Sequence, residues 1–299
     1  MKRLKIGDTI GLVAPASSVN KDKLKSSIEN LEKLGFKVKV GKSIENIWYS
    51  FAGTDEERAT DINNFFQDKD VDAIMCVRGG YGGIRMLSLL DYEVVRNNPK
   101  PFIGYSDVTS LHMAFFKKCN LKTFHGPMAV SNFSEEYNSD TLDDFIKVMT
   151  SNESYTIKNF YEKIYFYNTL KGSGQLVGGN LAVLVSNLGT EFDLEYDNKI
   201  LFLEDIGEST YKIDRMLWQL KNLGIFDKVS GIVLGDFKNC DKSSEDDMSL
   251  QDVFYSHFKD LKKPVCYNLK SGHCTPMLTL EFGEILEIDG EKEQLIVKK

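Results

Sequence analysis

The chain has 299 residues, enough for one large domain or two domains of ordinary size. Its composition, with 42% hydrophobic and 27% charged residues, is typical of a globular protein with a sizeable core. The formal net charge of -7 argues against a general nucleic-acid binder, which usually carries a basic face.

The N-terminus is basic, but Gly7, Asp8 and Thr9 interrupt its apolar run, so no signal peptide is indicated. No later stretch is long and apolar enough to span a bilayer. The five cysteines are scattered and form no C-x-x-C pair, which favours neither a disulfide framework nor a zinc site. We therefore expect a cytoplasmic protein with reduced thiols, without a metal, and without a membrane or nucleic-acid partner.

The first half of the chain alternates predicted strands and helices. A capping box of Thr54 and Glu57 marks one helix start, and Gly35 is placed to end another helix. This rhythm predicts an α/β fold with a parallel sheet, whose functional groups gather at the carboxyl ends of the strands. Strands are predicted at 8–16, 36–41, 71–80 and 100–105, and helices at 21–35, 54–68 and 107–120.

The second half begins after a polar stretch that is rich in Asn, Ser, Glu and Tyr and contains one predicted helix, at 141–151. The sequence therefore predicts an N-terminal α/β domain at 1–135, a linker at 136–174 and a C-terminal domain at 175–299. In the C-terminal domain, helices are predicted at 178–190, 209–224 and 250–261, and strands at 199–205, 229–237 and within 277–299.

Ser106 stands where a predicted strand turns sharply into a helix, in the stretch GYSDV. A serine nucleophile gains from this position, because its hydroxyl projects from the bend and the next backbone N–H can face an oxyanion. Only the first half of the G-x-S-x-G pattern is present. The alternative is that Ser106 or Asp107 caps the helix that follows.

The stretch RGGYGGIR, from Arg78 to Arg85, places paired glycines directly after a predicted strand. Their N–H groups are suited to complete an oxyanion hole, while a plain tight turn is the alternative. The glycine spacing matches neither a dinucleotide-binding loop nor a phosphate loop. No cofactor is therefore predicted.

A general base has to come from four histidines. His273 lies in a loop between Gly272 and Pro276, which suits a base better than the helical positions of His112 and His257. His125, near a turn, is a second candidate for a cleft.

Glu204 and Asp205 end an apolar strand, where a carboxylate can orient and stabilise an imidazole. Because neighbouring strand residues point to opposite faces, only one of the two acids is expected to face the histidine.

Taken together and in order, these segments resemble the LD-carboxypeptidase family, serine peptidases that include the microcin immunity-type hydrolases. The resemblance runs nearly end to end. It rests on GLVAPAS, AGTDEERATDIN, VRGGYGGIRML, FIGYSDVTSLH, HGPM, GGNLAVL, LFLEDIGESTYKIDRMLWQL, GIVLGDF and GHCTPMLTLEFG.

The resemblance implies a flavodoxin-like N-terminal domain, a swivelling β/β/α C-terminal domain, an active site between them and a homodimer. It implies Ser106 as the nucleophile, Glu204 as the acid and His273 as the base. The N–H groups of Asp107 and Gly80 are the implied oxyanion hole.

The implied reaction is hydrolysis of the L,D-peptide bond before the terminal D-alanine of murein tetrapeptides. The GHCTPM motif is closer to the microcin immunity-type branch, so cleavage of peptidyl- or aminoacyl-nucleotide toxins is the alternative. A non-catalytic module that binds anions through the glycine turn is the rival of a different class. Gly79, Arg78 and Arg85 are candidate substrate-binding residues, and Glu281 stands where the family often has proline.

Overall fold

The computed structural model describes residues 2–299, and the chain separates into two compact units. The first unit comprises residues 2–151, Gly189–Asp193 and Thr279–Glu281. The second comprises Asn152–Leu188, Leu194–Leu278 and Phe282–Lys299. Each unit contains its own sheet, which confirms the predicted two-part α/β architecture.

The strands in chain order are β1 (Thr9–Val13), β2 (Lys37–Val40), β3 (Ala73–Cys76), β4 (Phe102–Gly104), β5 (Thr123–His125), β6 (Tyr155–Ile157), β7 (Tyr165–Phe166), β8 (Lys171–Asn180), β9 (Lys199–Ile206), β10 (Gly231–Lys238), β11 (Val265–Tyr267), β12 (Leu280–Phe282), β13 (Ile285–Asp289) and β14 (Gln294–Lys298). The helices are α1 (Lys21–Lys33), α2 (Asp55–Gln67), α3 (Tyr92–Asn97), α4 (Thr109–Cys119), α5 (Ala129–Phe133), α6 (Ser139–Thr150), α7 (Leu181–Ser186), α8 (Thr210–Asn222), α9 (Ile225–Lys228) and α10 (Leu250–Phe258). Short 3₁₀ turns span Lys42–Glu45, Gly83–Leu89 and Ser106–Val108.

The first sheet has the strand order β12-β5-β4-β3-β1-β2 across the described residues, and the strands from β2 to β5 are parallel. Strands β3 and β4 are buried along their whole length, as expected for parallel strands covered on both faces. The order 2-1-3-4-5 is that of flavodoxin-like sheets, in which ligands bind beyond the carboxyl ends of the strands. Residues that follow β1, β3 and β4 therefore meet at one edge of the sheet.

Local sequence signals fix the helix ends of the first unit. The Asn20 side chain accepts the N–H groups of Asp22 and Lys23 and so caps α1. The predicted capping box of Thr54 and Glu57 is present at the start of α2. These caps satisfy backbone donors that the first helical turn leaves without partners.

The second sheet, within the described chain, has the order β6-β14-β13-β8-β9-β10-β11-β7. Its centre, from β8 to β11, is parallel, and both flanks are antiparallel. The carboxyl ends of β9, β10 and β11 consequently lie side by side.

Two segments differ from their predicted roles. Residues 136–174, predicted as a linker, contain α6 of the first unit and β6, β7 and the start of β8 of the second. The strands are short and partly exposed, so the segment has no continuous apolar pattern. The predicted helix at 178–190 begins only at Leu181, because Gly178 and Gly179 pair with β9 as part of β8.

Across residues 2–299, none of the helices has the length and apolar character that crossing a bilayer requires. The five cysteines all carry free thiols.

Candidate active site

Ser106 lies two residues beyond β4 and opens the 3₁₀ turn that leads into α4. Its backbone φ is 67°, in the left-handed region that residues with a Cβ rarely adopt. A serine held in this conformation at a strand-to-helix turn matches the strained bend of a nucleophile elbow. The helix-cap interpretation of Ser106 finds no support, since neither the 3₁₀ turn nor α4 has a side-chain cap.

The glycine turn that follows β3 packs directly against Ser106. A Cβ added at Gly79 would lie 2.9 Å from the Cβ and 3.0 Å from the Oγ of Ser106. Gly80 has a φ of 119°, and a Cβ there would overlap the Ser17 side chain. Glycine at both positions therefore lets the backbone approach the serine closely.

Asp107 ties this turn to the serine bend. Its Oδ2 accepts the backbone N–H of Gly83 at 2.7 Å. Burial raises the pKa of the Asp107 carboxyl to about 6, although the N–H groups of Gly83 and Gly82 and the charge of Arg58 act in the opposite direction. The carboxyl group of Asp107 is thus a structural link that the sequence did not reveal.

The serine bend and the glycine turn each present one backbone N–H group suited to a ligand. Among residues 2–299, no protein acceptor receives the N–H of Asp107 or that of Gly80. Amides without intramolecular partners next to a serine hydroxyl can stabilise a developing oxyanion.

In the second unit, His273 and Glu204 form a close pair. The Nδ1 of His273 lies 2.7 Å from the Oε2 of Glu204, whose side chain is fully buried near the carboxyl end of β9. Gly272 has a φ of 118°, and a Cβ there would lie 2.6 Å from the same oxygen. The glycine therefore allows the histidine loop to lie against the acid.

Asp205 points away from this pair. It accepts the side-chain amide of Asn180 at 2.9 Å and the N–H of Ala182 at 3.0 Å, which anchors the start of α7. Burial first, and the charge of Glu204 in addition, raise the pKa of Asp205 to about 6. As expected from strand alternation, only one of the two neighbouring acids contacts His273.

The remaining histidines have structural surroundings. His112 is buried on α4, and its Nε2 lies 2.8 Å from the carbonyl oxygen of Gly104. Burial lowers the pKa of His112 to about 4, so the ring is neutral and donates this hydrogen bond. His125 is fully buried in β5, and His257 contacts Asp214 at 2.8 Å.

Cys274 follows His273 directly in the loop. Burial raises the pKa of its thiol to about 12, which suppresses the nucleophilic thiolate.

The two candidate arginines are held differently. Arg85 makes a two-point ion pair with Asp55 at 2.8 and 3.0 Å and stacks over Trp48 and Phe51. Arg78 is exposed and donates a long hydrogen bond, 3.3 Å, to the carbonyl oxygen of Ser18. The guanidinium of Arg85 is therefore engaged in a surface ion pair.

Glu281 lies in the edge strand β12. Its buried side chain forms an ion pair with Arg3 at 3.0 Å. Residues 2–299 contain no cluster of three or more His, Cys, Asp or Glu side chains placed to bind a metal ion.

The structure thus brings Ser106, Asp107, Gly79 and Gly80 together in the first unit, and Glu204 with His273 in the second. Asp236 lies beside the His273 loop and was not predicted from the sequence as a site residue. Its only sequence signal was its place at the end of the predicted strand GIVLGDF.

Comparisons with known proteins place these groups in context. Residues 10–126 match the family model described as the LD-carboxypeptidase N-terminal domain, and residues 173–288 match that of the LD-carboxypeptidase C-terminal domain. A probable murein peptide carboxypeptidase of Bacillus subtilis is 38% identical, over 94% of this chain and 89% of its own length. The microcin C7 self-immunity protein of Escherichia coli is 32% identical, over 98% of this chain and 94% of its own length.

A solved structure extends the likeness to the fold. The muramoyltetrapeptide carboxypeptidase from Oxalobacter formigenes superposes with a TM-score of 0.87 at 30% identity, covering 97% of this chain and 99% of that chain. Both family models and near-complete coverage confirm the predicted resemblance, and the serine-type hydrolase class with it. The chain belongs to the LD-carboxypeptidase family.

Proposed function

We propose that this protein is a serine carboxypeptidase that hydrolyses the L,D-peptide bond before the terminal D-alanine of murein tetrapeptides. The observation that carries the proposal is the strained Ser106 bend, packed against a glycine turn with two unengaged amides. Membership of the family and the likeness to proteins named murein peptide carboxypeptidase support the substrate class.

In the proposed reaction, His273 takes the proton of the Ser106 hydroxyl through Nε2. The contact of Nδ1 with Glu204 supports this role, because an Nδ1–H donated to the carboxylate leaves Nε2 as the basic nitrogen. Ser106 attacks the carbonyl of the L-configured diamino acid residue. His273 then protonates the leaving amine of D-alanine, and water hydrolyses the acyl-enzyme.

The proposed oxyanion hole consists of the N–H groups of Asp107 and Gly80. A donor of this kind contributes on the order of 3 kcal/mol to transition-state stabilisation. The substrate's terminal carboxylate is assigned to Arg78 rather than Arg85, because the guanidinium of Arg85 is already paired with Asp55. Gly79 contributes by leaving space beside Ser106.

Cleavage of peptidyl- or aminoacyl-nucleotide toxins by the same groups is the second candidate. The 32% identity to the microcin self-immunity protein favours it. Assays of a murein tetrapeptide and a processed microcin side by side separate the two functions. Turnover of the tetrapeptide alone removes the second candidate.

We also propose a cytoplasmic, homodimeric enzyme of peptidoglycan recycling that needs no metal or cofactor and has no nucleic-acid or membrane partner. The five free thiols and the acidic net charge support this setting. Light scattering of the purified protein tests the dimer.

The decisive variant is Ser106→Ala. We expect a folded protein with almost no turnover of murein tetrapeptides, because the nucleophile is lost. Near-normal activity would reject the mechanism. A serine-directed probe should acylate the wild type at Ser106, whereas a non-catalytic anion-binding module would leave Ser106 unmodified.

A further inference from the structure

A cavity of about 290 Å³ opens in the second unit where β10 and β11 end. Four aromatic side chains and two carboxylates are among the groups that line it. These residues are Tyr165, Phe237, Phe254, Tyr267, Glu162 and Asp236. The volume suits a side chain or a small molecular fragment, since drug-sized sites begin at roughly 300 Å³.

A β-bulge places Asp236 at this cavity. The register between β9 and β10 shifts between Leu234 and Phe237, at Gly235 and Asp236. The Asp236 N–H bonds to the carbonyl oxygen of Ser271, at 3.0 Å, instead of continuing the strand ladder. Bulges redirect side chains and are frequent next to active sites.

The two acids of the cavity differ in how they are neutralised. Glu162 lies 3.1 Å from the ammonium of Lys270 and accepts the amide of Asn268 at 3.0 Å. Asp236 lies 3.9 Å from the same ammonium, and within residues 2–299 its carboxylate accepts no hydrogen bond. The Lys270 ammonium is therefore shared by two carboxylates, and Asp236 has the weaker contact with it.

Other charges also reach Asp236. The exposed Lys238 and the His273 ring favour its ionised form, while Glu162 opposes it. Burial outweighs them and raises the pKa of the Asp236 carboxyl above its ordinary value of 3.8. A half-buried carboxylate of this kind is stabilised when a cation binds beside it.

The aromatic walls favour a cation as well. Tyr165 and Tyr267 stack with ring centroids 5.3 Å apart, and Phe237 meets Phe254 edge-on at 4.9 Å. Ammonium groups are attracted to the faces of such rings. A ligand side chain with an apolar stem and a cationic end could thus contact the aromatic rings with its stem and the carboxylates with its charge.

The cavity also adjoins the proposed base. Ser271, which accepts the Asp236 N–H, precedes His273 by two residues, and Asp236 interacts electrostatically with the His273 ring. In the proposed reaction the attacked carbonyl belongs to a diamino acid, whose side chain leaves the adjacent Cα and ends in an ammonium.

We propose that this cavity is the subsite for the side-chain ammonium of that diamino acid, with Asp236 as its counter-ion. The inference rests on the proposed carboxypeptidase function and adds how the residue before D-alanine is recognised. It makes Asp236 a specificity-determining residue.

The test compares tetrapeptides that differ only in the third residue: meso-diaminopimelate, L-lysine, or L-2-aminoheptanoate, in which a methyl group replaces the ammonium. We expect wild-type kcat/KM to be about ten- to a hundredfold higher for the lysine peptide than for the aminoheptanoate peptide. In Asp236→Asn the two values should lie within about twofold of each other, because the counter-ion is lost. A general effect through His273 would change both values equally and leave their ratio intact.

Asp227→Asn is the matched control, since Asp227 is an exposed acid that precedes β10 at its other end. It should keep the wild-type ratio. The subsite is overturned if the wild-type ratio of kcat/KM for the lysine and aminoheptanoate peptides is near one, or if a large ratio persists in Asp236→Asn. In either case, cleavage of the tetrapeptides still supports the proposed function. No cleavage of any of the three peptides overturns the proposed function, and the subsite with it.

Discussion

The two units hold their candidate catalytic groups by different means. In the first unit, Ser106 is positioned by backbone and by the absence of side chains at Gly79 and Gly80. In the second, the orientation of His273 depends on a specific side chain, the buried carboxylate of Glu204 at 2.7 Å. Adding a side-chain atom at Gly79 should therefore displace Ser106, whereas removing the Glu204 carboxylate should leave His273 without its orienting partner.

Among the variants that test this comparison, the largest effect is expected from Glu204→Gln. The amide preserves size but cannot hold His273 as a carboxylate does, so kcat should fall by roughly a thousandfold or more, as in triads that lose their acid. Steady-state kinetics on a murein tetrapeptide measure the change, and thermal unfolding verifies the fold.

Asp214→Asn provides a matched control, because His257 and Asp214 form a similar pair, 2.8 Å apart, in the same unit. Its kcat should stay within about twofold of the wild type, since the pair joins α8 to α10 and is assigned no catalytic role. If Glu204→Gln and Asp214→Asn lowered kcat equally, any disturbed histidine–acid pair would impair the second unit. Glu204 would then have no special role in orienting His273.

The second prediction adds one methyl group, in Gly79→Ala. The new Cβ would lie 2.9 Å from the Cβ of Ser106 and displace the serine or the turn. A shift of about 1 Å near reacting atoms lowers kcat by on the order of a hundredfold. Tetrapeptide kinetics together with acylation of Ser106 by a serine-directed probe measure the effect.

Gly7→Ala is the control for this variant. Gly7 also belongs to the first unit, has a φ of 95°, and has open space where a Cβ would lie. The substitution should cost about 1–2 kcal/mol of stability through backbone strain without changing kcat. Comparable kcat values for Gly79→Ala and the wild type would show that close packing against Ser106 is not required.

Most of the first unit could be predicted from the sequence because its signals are local. The capping box at Thr54 and Glu57 and the continuous apolar strands lead directly to a parallel sheet. The helix at 141–151 could be predicted within the segment 136–174, but its strands could not, since β6 and β7 are defined by distant partners, β14 and β11. Pairing over such distances leaves little trace in a short polar stretch.

The site shows the same division. Strand alternation correctly anticipated that one acid would face His273, and the structure gives that place to Glu204. The positions of the Asp107 and Asp236 carboxylates could not be predicted, because each depends on a segment far along the chain: the Gly83 amide for one, the Ser271 carbonyl for the other. A single aspartate outside a recognisable motif does not predict such a contact.

The third prediction concerns the Asp107 carboxylate, which links the glycine turn to the serine bend. Asp107→Ala leaves the buried Gly83 N–H without its acceptor, which should destabilise the fold by about 1–3 kcal/mol. The loosened turn should lower kcat by roughly tenfold, within the range of positional effects. Asp107→Asn keeps an acceptor oxygen and should recover most of both losses, as kinetics and urea unfolding would show. An Asp107→Asn variant as impaired as Asp107→Ala would assign the effect to charge rather than to the hydrogen bond.

The smallest effect is expected from a half-buried acid outside the site, Asp144 on α6. Its Oδ2 accepts the Thr279 N–H at 2.7 Å, and burial raises its pKa to about 6, with Lys147 opposing the shift. Because the folded pKa exceeds the ordinary value of 3.8, the folded state binds more protons between these values. Stability from this group is therefore complete below about pH 4 and declines as the pH rises through about 6.

Asp144→Asn removes this titration and keeps an acceptor for Thr279. Its free energy of unfolding should exceed that of the wild type by about 1–3 kcal/mol at pH 7.5 and nearly match it at pH 4, since one pKa unit corresponds to about 1.4 kcal/mol. Urea unfolding at both pH values measures the difference, and kcat should not change. A constant offset between the two proteins at both pH values would mean that packing, not ionisation, distinguishes them. In that case Asp107, whose pKa burial also raises to about 6, is the next group of the first unit whose titration should be measured.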